Sequence, residues 1–143
     1  MSAWETHKPL PEPPSTLATA TKRNDVRELG RLLSGGAELE ARDGRGYSPL
    51  MLAAYCGNIE AFDYLLARGA DPNSRDLAGN TVLMGAAFKG STYIVAELLE
   101  AGADPKLRND AGLDTVEVAA TFGRAEIVEV VVRFVADHAL PRA

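Results

Sequence analysis

The sequence has few of the residues on which enclosed chemical sites depend. It holds one cysteine, Cys56, so no internal disulfide can form, and a reducing compartment fits this usage without being required. Its two histidines, His7 and His138, lie near the two ends of the chain, which argues against a Ser–His–Asp or Cys–His constellation within a folded domain. The sequence shows no metal-ligand spacing and no phosphate-binding glycine loop. We therefore expect no catalytic residue, no metal and no cofactor, and a protein that is not an enzyme.

Long apolar runs and a strong net charge are also missing. No apolar stretch approaches the ~18 residues of a membrane span, and the first residues carry four prolines and no apolar run of the signal-peptide type. The net charge of −5 gives no reason to expect nucleic acid or an anionic membrane as partner. With 46% hydrophobic and 24% charged residues in 143, the composition is that of one folded domain. We expect a cytoplasmic protein.

What the sequence does contain is a repeat of 33 residues. Each unit opens with a near-copy of one segment, Gly-Tyr-Ser-Pro-Leu at 46–50, Gly-Asn-Thr-Val-Leu at 79–83 and a weaker Gly-Leu-Asp-Thr-Val at 112–116. Two further sets of glycines keep the same period: Gly57, Gly90 and Gly123, and Gly36, Gly69 and Gly102. Such a period is typical of a stacked array, in which each unit buries its apolar face only against its neighbours. Function is then expected on the surface and not in an enclosed pocket.

Residues 43–75 show the plan of one unit. Asp43 to Gly46 have turn chemistry, and Ser48 and Pro49 are the expected N-cap and first residue of a helix. Gly57 ends that helix, and a second, antiparallel helix is expected over 59–66. Units 76–108 and 109–137 follow the same plan, with Asp114 as the expected N-cap in the last of them. Residues 15–42 form a first unit without its turn, with Ser15 as the expected N-cap. Residues 1–14 are a proline-rich lead and 138–143 a C-terminal tail.

These turn and helix patterns resemble the ankyrin repeat family. Residues 48–57, Ser-Pro-Leu-Met-Leu-Ala-Ala-Tyr-Cys-Gly, closely match the family motif, 81–90 match it well, and 114–123 are degenerate. The resemblance covers about residues 15 to 137 and implies an all-α solenoid of about four helix-turn-helix units, the first and last acting as caps, joined by β-turn tips. The family usually places a histidine after Thr-Pro-Leu, where this chain has Met51, Met84 and Glu117. Methionine packing is expected to replace that polar link.

The resemblance also implies where a partner would bind. Family members use the turn tips and the exposed ends of the first helices, which line a concave groove. Carried over position by position, this selects Arg42, Arg45, Tyr47, Tyr55, Arg75, Leu77, Asn80, Phe88, Lys89, Arg108, Leu113 and Phe122 as partner-binding candidates, together with Lys22, Arg23, Cys56, Asp110 and Thr121.

Two features of this set are specific to the chain. Arginine recurs just before each turn, at 42, 75 and 108, and could either contact a partner, support its own turn or pair with Asp43, Asp76 and Asp110. Beside it runs an aromatic and apolar row, which could contact a partner or pack between adjacent first helices: Tyr47, Tyr55, Leu77, Phe88, Leu113 and Phe122. Tyr and Arg dominate interface hot spots. The repeated arginines and the aromatic and apolar row together favour a groove that binds a protein segment with acidic and apolar side chains.

The last helix carries large apolar residues at two positions where the preceding unit has a glutamate and an alanine. Val130 and Phe134 occupy the positions of Glu97 and Ala101, so the end of the array is partly apolar. Either the C-terminal tail folds back over this surface, which we favour, or it is a self-association face of the C-terminal valines.

The sequence therefore predicts a non-enzymatic protein-interaction module that binds one partner on its concave face. Its role could be that of an inhibitor, an immunity-type protein or an adaptor. Small stand-alone members of this family look bacterial, and some accompany a toxin or an oxidant-defence enzyme. Two other classes stay open: a small-ligand or haem carrier that uses Tyr55 and Cys56, and a self-associating structural repeat. A monomer is expected.

Overall fold

The structure is a computed structural model that describes residues 15–139, in which helices pair and stack. The proline-rich lead at 1–14, residues 140–143 and the expected folding back of that tail lie outside the described residues. Within 15–139, no β-strand forms beyond an isolated bridge between Arg75 and Thr81. The all-α solenoid expected from the sequence is confirmed. The helices of this part of the chain are α1 (Leu17–Lys22), α2 (Val26–Ser34), α3 (Pro49–Cys56), α4 (Ile59–Ala67), α5 (Val82–Lys89), α6 (Thr92–Glu100), α7 (Thr115–Thr121) and α8 (Ala125–Asp137).

The helices form two layers. The first helices α1, α3, α5 and α7 contact one another in order, and each packs against its own second helix, α2, α4, α6 or α8. Small residues make the close approach of the first helices possible, because an alanine adds only a methyl group between two backbones. Fully buried alanines of this kind are Ala53, Ala54, Ala86, Ala87 and Ala119. None of the helices in residues 15–139 is both long enough and apolar enough to cross a membrane.

Side chains before the first helices cap them as the sequence predicts. The Ser48 hydroxyl accepts a hydrogen bond from the Met51 backbone N–H at 3.2 Å, and the Asp114 carboxylate accepts one from the Glu117 N–H at 2.9 Å. The predicted N-cap Ser15 is wrong, because Thr16 takes that place. Thr16 and Thr19 exchange side chain and backbone bonds in a capping box, which satisfies two N–H groups at once and starts α1 one residue later.

The first helix pair contains a break that the sequence pattern did not locate. Between α1 and α2 the chain turns at Asn24, which adopts a left-handed backbone conformation with φ of 55°. Asn24 lies 33 residues before Gly57, whose φ is 69°, so asparagine stands where the other units have glycine. Asparagine tolerates this conformation better than most residues. Its side chain also accepts a bond from the Ala61 N–H at 2.9 Å, which ties the first unit to the second.

The methionines at the family's histidine position are buried in the stack, as expected. Met51 is 0% and Met84 2% exposed. In the last unit Glu117 is instead half-buried and accepts a bond from Arg108 at 2.9 Å. A different polar contact is present in the stack, where the buried hydroxyls of Ser48 and Ser74 lie 3.0 Å apart. Burial of the thioethers therefore replaces the histidine in two of the three units.

The C-terminal valines do not form one exposed face. Helix α8 has 13 residues, four more than α4 or α6. Val131 is 1% exposed and belongs to the core, whereas Val130 is half-buried and Val132 is 52% exposed on another side of the helix. The surface available at this end of the array is therefore built by Val130 and Phe134, and not by a run of valines.

Candidate functional site

Two of the three repeated arginines, Arg42 and Arg75, link neighbouring turns, whereas Arg108 bonds within its own unit. Arg42 donates to the Gly46 carbonyl of its own turn at 2.9 Å and also to the carbonyl of Arg75. Arg75 in turn donates to the carbonyl of Arg108 at 3.1 Å, and Arg108 donates to Gly112 of its own turn at 2.6 Å. All three side chains stay exposed. Turn support is thus confirmed for Arg42 and Arg108, and Arg75 supports the following turn.

The acidic residues of the turns do not pair with these arginines, so that alternative is wrong. Asp43 Oδ1 accepts bonds from the backbone N–H groups of Arg45 and Tyr47, both at 2.9 Å. Partial burial alone would raise the pKa of Asp43, but these two donors and the charges of Arg45 and Lys22 outweigh it and hold the pKa below its ordinary value. Asp76 accepts from Ala78 and Asn80 in the same way. The carboxylates are used inside their turns, where an Asx turn needs them.

Aromatic rings form a continuous row across the first helices, and we call Tyr47, Tyr55, Phe88 and Phe122 the aromatic row. Ring centroids of Tyr47 and Tyr55 lie 5.2 Å apart, those of Tyr55 and Phe88 6.0 Å, and those of Phe88 and Phe122 4.8 Å in an edge-to-face arrangement. The row therefore packs between adjacent first helices, as one of the two alternatives predicted. Phe88 and Phe122 nevertheless remain 44% and 50% exposed, which leaves apolar area for a partner.

Gly85 makes room for the centre of this row, and sequence reasoning missed it. A Cβ atom at position 85 would lie 3.1 Å from Cε2 of Tyr55, closer than ordinary packing allows. The matching positions of the neighbouring units hold Leu52 and Val118. A glycine at a repeat position where the neighbouring units have apolar side chains was the feature of the sequence that could have identified Gly85. Gly85 lets the Tyr55 ring lie directly against α5.

A cleft of about 380 Å³ opens beside the aromatic row, between α5 and α7. Its walls are mostly apolar, and two amides stand among them, where the Asn109 side chain donates to Asn80 at 2.9 Å. This volume is at the lower end of the range of clefts that bind small molecules. Asn109 was not predicted, although it stands where the other units have Asp43 and Asp76. The lining residues are Tyr55, Asn80, Met84, Phe88, Asn109, Leu113, Val118, Thr121 and Phe122.

The other predicted residues lie around the row and the cleft. The Arg45 guanidinium lies over the Tyr47 ring, 5.2 Å from its centroid. Leu77 is 78% exposed at its turn tip, next to Gly46 of the preceding turn. Lys89 extends its aliphatic stem over Gly57 at the end of α3. Lys22, Arg23, Asp110 and Thr121 are exposed as well.

Arg124, which was not predicted, donates two bonds to the Phe88 carbonyl, at 3.2 and 3.0 Å.

Tyr55 and Cys56 have different environments. Burial raises the pKa of Tyr55 to about 12, and its interactions with Tyr47 and Asp76 act in the same direction. A phenol held neutral to this degree is a poor metal ligand, because ligation needs the phenolate. Cys56 is an exposed free thiol. Among residues 15–139 no three His, Cys, Asp or Glu side chains come together as a metal site would require. No feature of the described residues favours the haem interpretation, which stays a prediction.

Comparison with known proteins agrees with the fold. The family model described as ankyrin repeats in many copies matches residues 32–83, and the model of the single ankyrin repeat matches residues 78–110. Together these matches cover more than half of the chain, which therefore belongs to the ankyrin repeat family. Ankyrin repeats are generally protein–protein interaction modules without enzymatic activity. No curated protein matches the sequence.

Proposed function

We propose that the chain is a non-enzymatic module that binds a segment of a partner protein on its concave face, the surface formed by the turn tips and the exposed ends of the first helices. The observation that carries this proposal is the partly exposed aromatic row with the cleft beside it. A row of four rings that leads into a cleft of about 380 Å³ offers both a broad apolar contact and a socket for one anchoring side chain.

Charge supports a partner segment that is acidic as well as apolar. Exposed cations surround the aromatic row, namely Lys22, Arg23, Arg45, Arg75 and Lys89, although the chain as a whole carries a net charge of −5. Arg45 already lies over Tyr47 and leaves its remaining N–H groups to solvent, where they can reach a carboxylate of a partner. Charge complementarity of this kind orients a partner and speeds association. The role would be that of an inhibitor, an immunity-type protein or an adaptor, in the cytoplasm and as a monomer.

The test is affinity capture with matched variants. The full chain would capture partners from extracts of its native cell, and binding of each captured protein would then be measured with Phe88→Ala/Phe122→Ala. We expect binding to weaken about 30-fold or more, since loss of an aromatic hot spot costs about 2 kcal/mol. Tyr93→Ala is the control, because Tyr93 is 43% exposed on the second helix α6, away from the concave face. If the control loses the partner and the Phe variant keeps it, the concave face is not the binding surface.

A further inference from the structure

A second open groove lies between α6 and α8, in the layer of second helices. Its volume is about 470 Å³. It follows α8 from Glu126 to Asp137, which at 1.5 Å per residue is a length of about 16 Å, or three helical turns. The residues that line it are Thr92, Ala96, Leu99, Glu100, Glu126, Glu129, Val130, Arg133, Phe134 and Asp137.

The preceding pair of second helices has a bridge at the same place. There, the Tyr93 hydroxyl of α6 donates to the Asp63 carboxylate of α4, with distances of 2.9 and 3.1 Å to the two oxygens. One repeat later these positions hold Glu126 and Ala96. A methyl group cannot accept a hydrogen bond, and the side chain of Glu126 makes none with any residue of 15–139. The bridge is therefore lost between α6 and α8, which leaves this groove open.

The floor of the groove is more apolar than the equivalent surface of the preceding unit. Val130 and Phe134 stand where that unit has Glu97 and Ala101, and both are half-buried. Leu99, 3% exposed, lies beneath them. The Phe134 ring stacks on His138 with centroids 3.8 Å apart, which holds the ring in place. The floor thus presents a fixed aliphatic and aromatic surface that no described residue covers completely.

The rim of the groove carries mainly negative charge. Glu100, Glu126, Glu129 and Asp137 are all exposed, and the one cation of the lining, Arg133, is bonded to Glu129 at 2.8 Å. The remaining carboxylates have no cationic partner among residues 15–139. This sign is opposite to that of the cations around the aromatic row on the concave face.

We propose that the α6–α8 groove is a second docking surface, for a basic amphipathic helix of a partner protein. Apolar side chains one or two turns apart would lie on Val130, Phe134 and Leu99, as in other helix-in-groove complexes. Lysine or arginine residues beside them would meet the carboxylates of the rim. A second copy of this chain docked face to face would bring the same carboxylates together, and like charges oppose that arrangement. The groove therefore favours a different, basic partner.

Two synthetic peptides provide the probe. Both have about 12 residues, long enough to cover the groove as a helix, and both carry leucines at positions i, i+4 and i+7. Lysines fill the remaining positions in one peptide and glutamates in the other. The binding site would be mapped on the full chain from the shifts of its backbone amide NMR signals during titration.

We expect the lysine peptide to shift signals of α6 and α8. It should bind at least about tenfold more tightly than the glutamate peptide, because several exposed ion pairs act together although each contributes only modestly. The variant Ala96→Asp/Glu126→Tyr installs the bridge found between α4 and α6 and should weaken binding of the lysine peptide by about tenfold. Glu126→Lys/Glu129→Lys changes only exposed side chains and should reverse the preference between the two peptides.

Three results would overturn the proposal. Equal binding of the two peptides would show that the rim charge selects nothing, and shifts confined to the first helices and turns would place the peptide on the concave face. Shifts of α6 and α8 signals that depend on protein concentration without peptide would assign the groove to a second copy of the chain. Because Phe88→Ala/Phe122→Ala leaves this groove unchanged, it should bind the lysine peptide normally even if the concave-face proposal fails.

Discussion

At the scale of single residues, the concave face depends on which side chains leave room for others. Gly85 has no side chain, and a Cβ at this position would lie 3.1 Å from the Tyr55 ring, which is tighter than an ordinary van der Waals contact. Tyr55 then meets Tyr47 on one side and Phe88 on the other. A glycine within a helix lowers helix stability by about 1 kcal/mol relative to alanine. Here it lets the Tyr55 ring approach α5 to a distance at which an alanine would force the ring to shift.

The burial of Tyr55 predicts a dependence of stability on alkaline pH. Its pKa in the folded protein, about 12, lies above the ordinary value of 10, so the contribution of the neutral phenol is fully present below pH 10. That contribution is lost as the pH rises from 10 towards 12. We expect wild type to lose more free energy of unfolding over this interval than Tyr55→Phe, measured by urea unfolding. Tyr93, whose pKa is also raised, titrates in both proteins. Parallel pH profiles would contradict the prediction.

Thr115 predicts a stabilising substitution. Its hydroxyl is fully buried at the start of α7 and finds no hydrogen-bond partner among residues 15–139. The equivalent position of the preceding unit holds Val82, which has the same shape without the hydroxyl. We expect Thr115→Val to raise the free energy of unfolding by about 1 kcal/mol, because an unpaired buried polar group is removed. Thr115→Ser, which keeps the hydroxyl and loses a methyl group, is the control and should destabilise in the same urea titration.

At the scale of elements, the turns are joined by side chains that the sequence presents as a surface column. Arg42 and Arg75 each donate to a backbone carbonyl of the next turn, 33 residues further along the chain. Each unit of a solenoid contacts only its neighbours, so these bonds contribute directly to the interface energy between units. The arginines are exposed and still structural. This finding moves the emphasis for partner binding from the arginines to the aromatic row.

Removing one link tests this role. Arg75→Met keeps most of the aliphatic stem and removes the bond to the Arg108 carbonyl, and we expect the free energy of unfolding to fall by about 0.5–1 kcal/mol. Arg45→Met is matched in chemistry but removes only the contact with Tyr47 of the same turn. It should cost less in a urea unfolding series. Equal losses for the two variants would mean that the link between turns contributes nothing measurable.

At the scale of the whole molecule, the two layers of helices present two different surfaces. The first helices and turns carry the aromatic row with cations around it, whereas the end of the second-helix layer carries the apolar α6–α8 groove with carboxylates at its rim. The net charge of −5 conceals this separation. The two proposals together predict that the chain holds two different segments at once, and this would suit an adaptor better than a simple inhibitor.

The repeat pattern was sufficient to predict the helix pairs, their stacking and two of the caps. Ser48 and Asp114 each bond to a backbone N–H three residues later in the chain, so local sequence is enough to predict these caps. The glycines and alanines recur with the period of the repeat, and this predicts the helix pairs and their stacking. The first unit was harder, because Asn24 takes the place of the glycine that would have revealed its turn. Similarly, Thr16 and not Ser15 starts α1, since both residues are good caps and only the geometry of Thr19 distinguishes them.

The sequence by itself therefore determined the family, the two layers and the residue types exposed on each surface. The tertiary structure alone decided that Arg75 bonds to the next turn, that Gly85 receives the Tyr55 ring and that the groove between α6 and α8 is open. The physical reason is that these features depend on pairs of side chains from different units and on the distance between them. Residue type limits which contacts are possible, but packing decides which atoms come within reach.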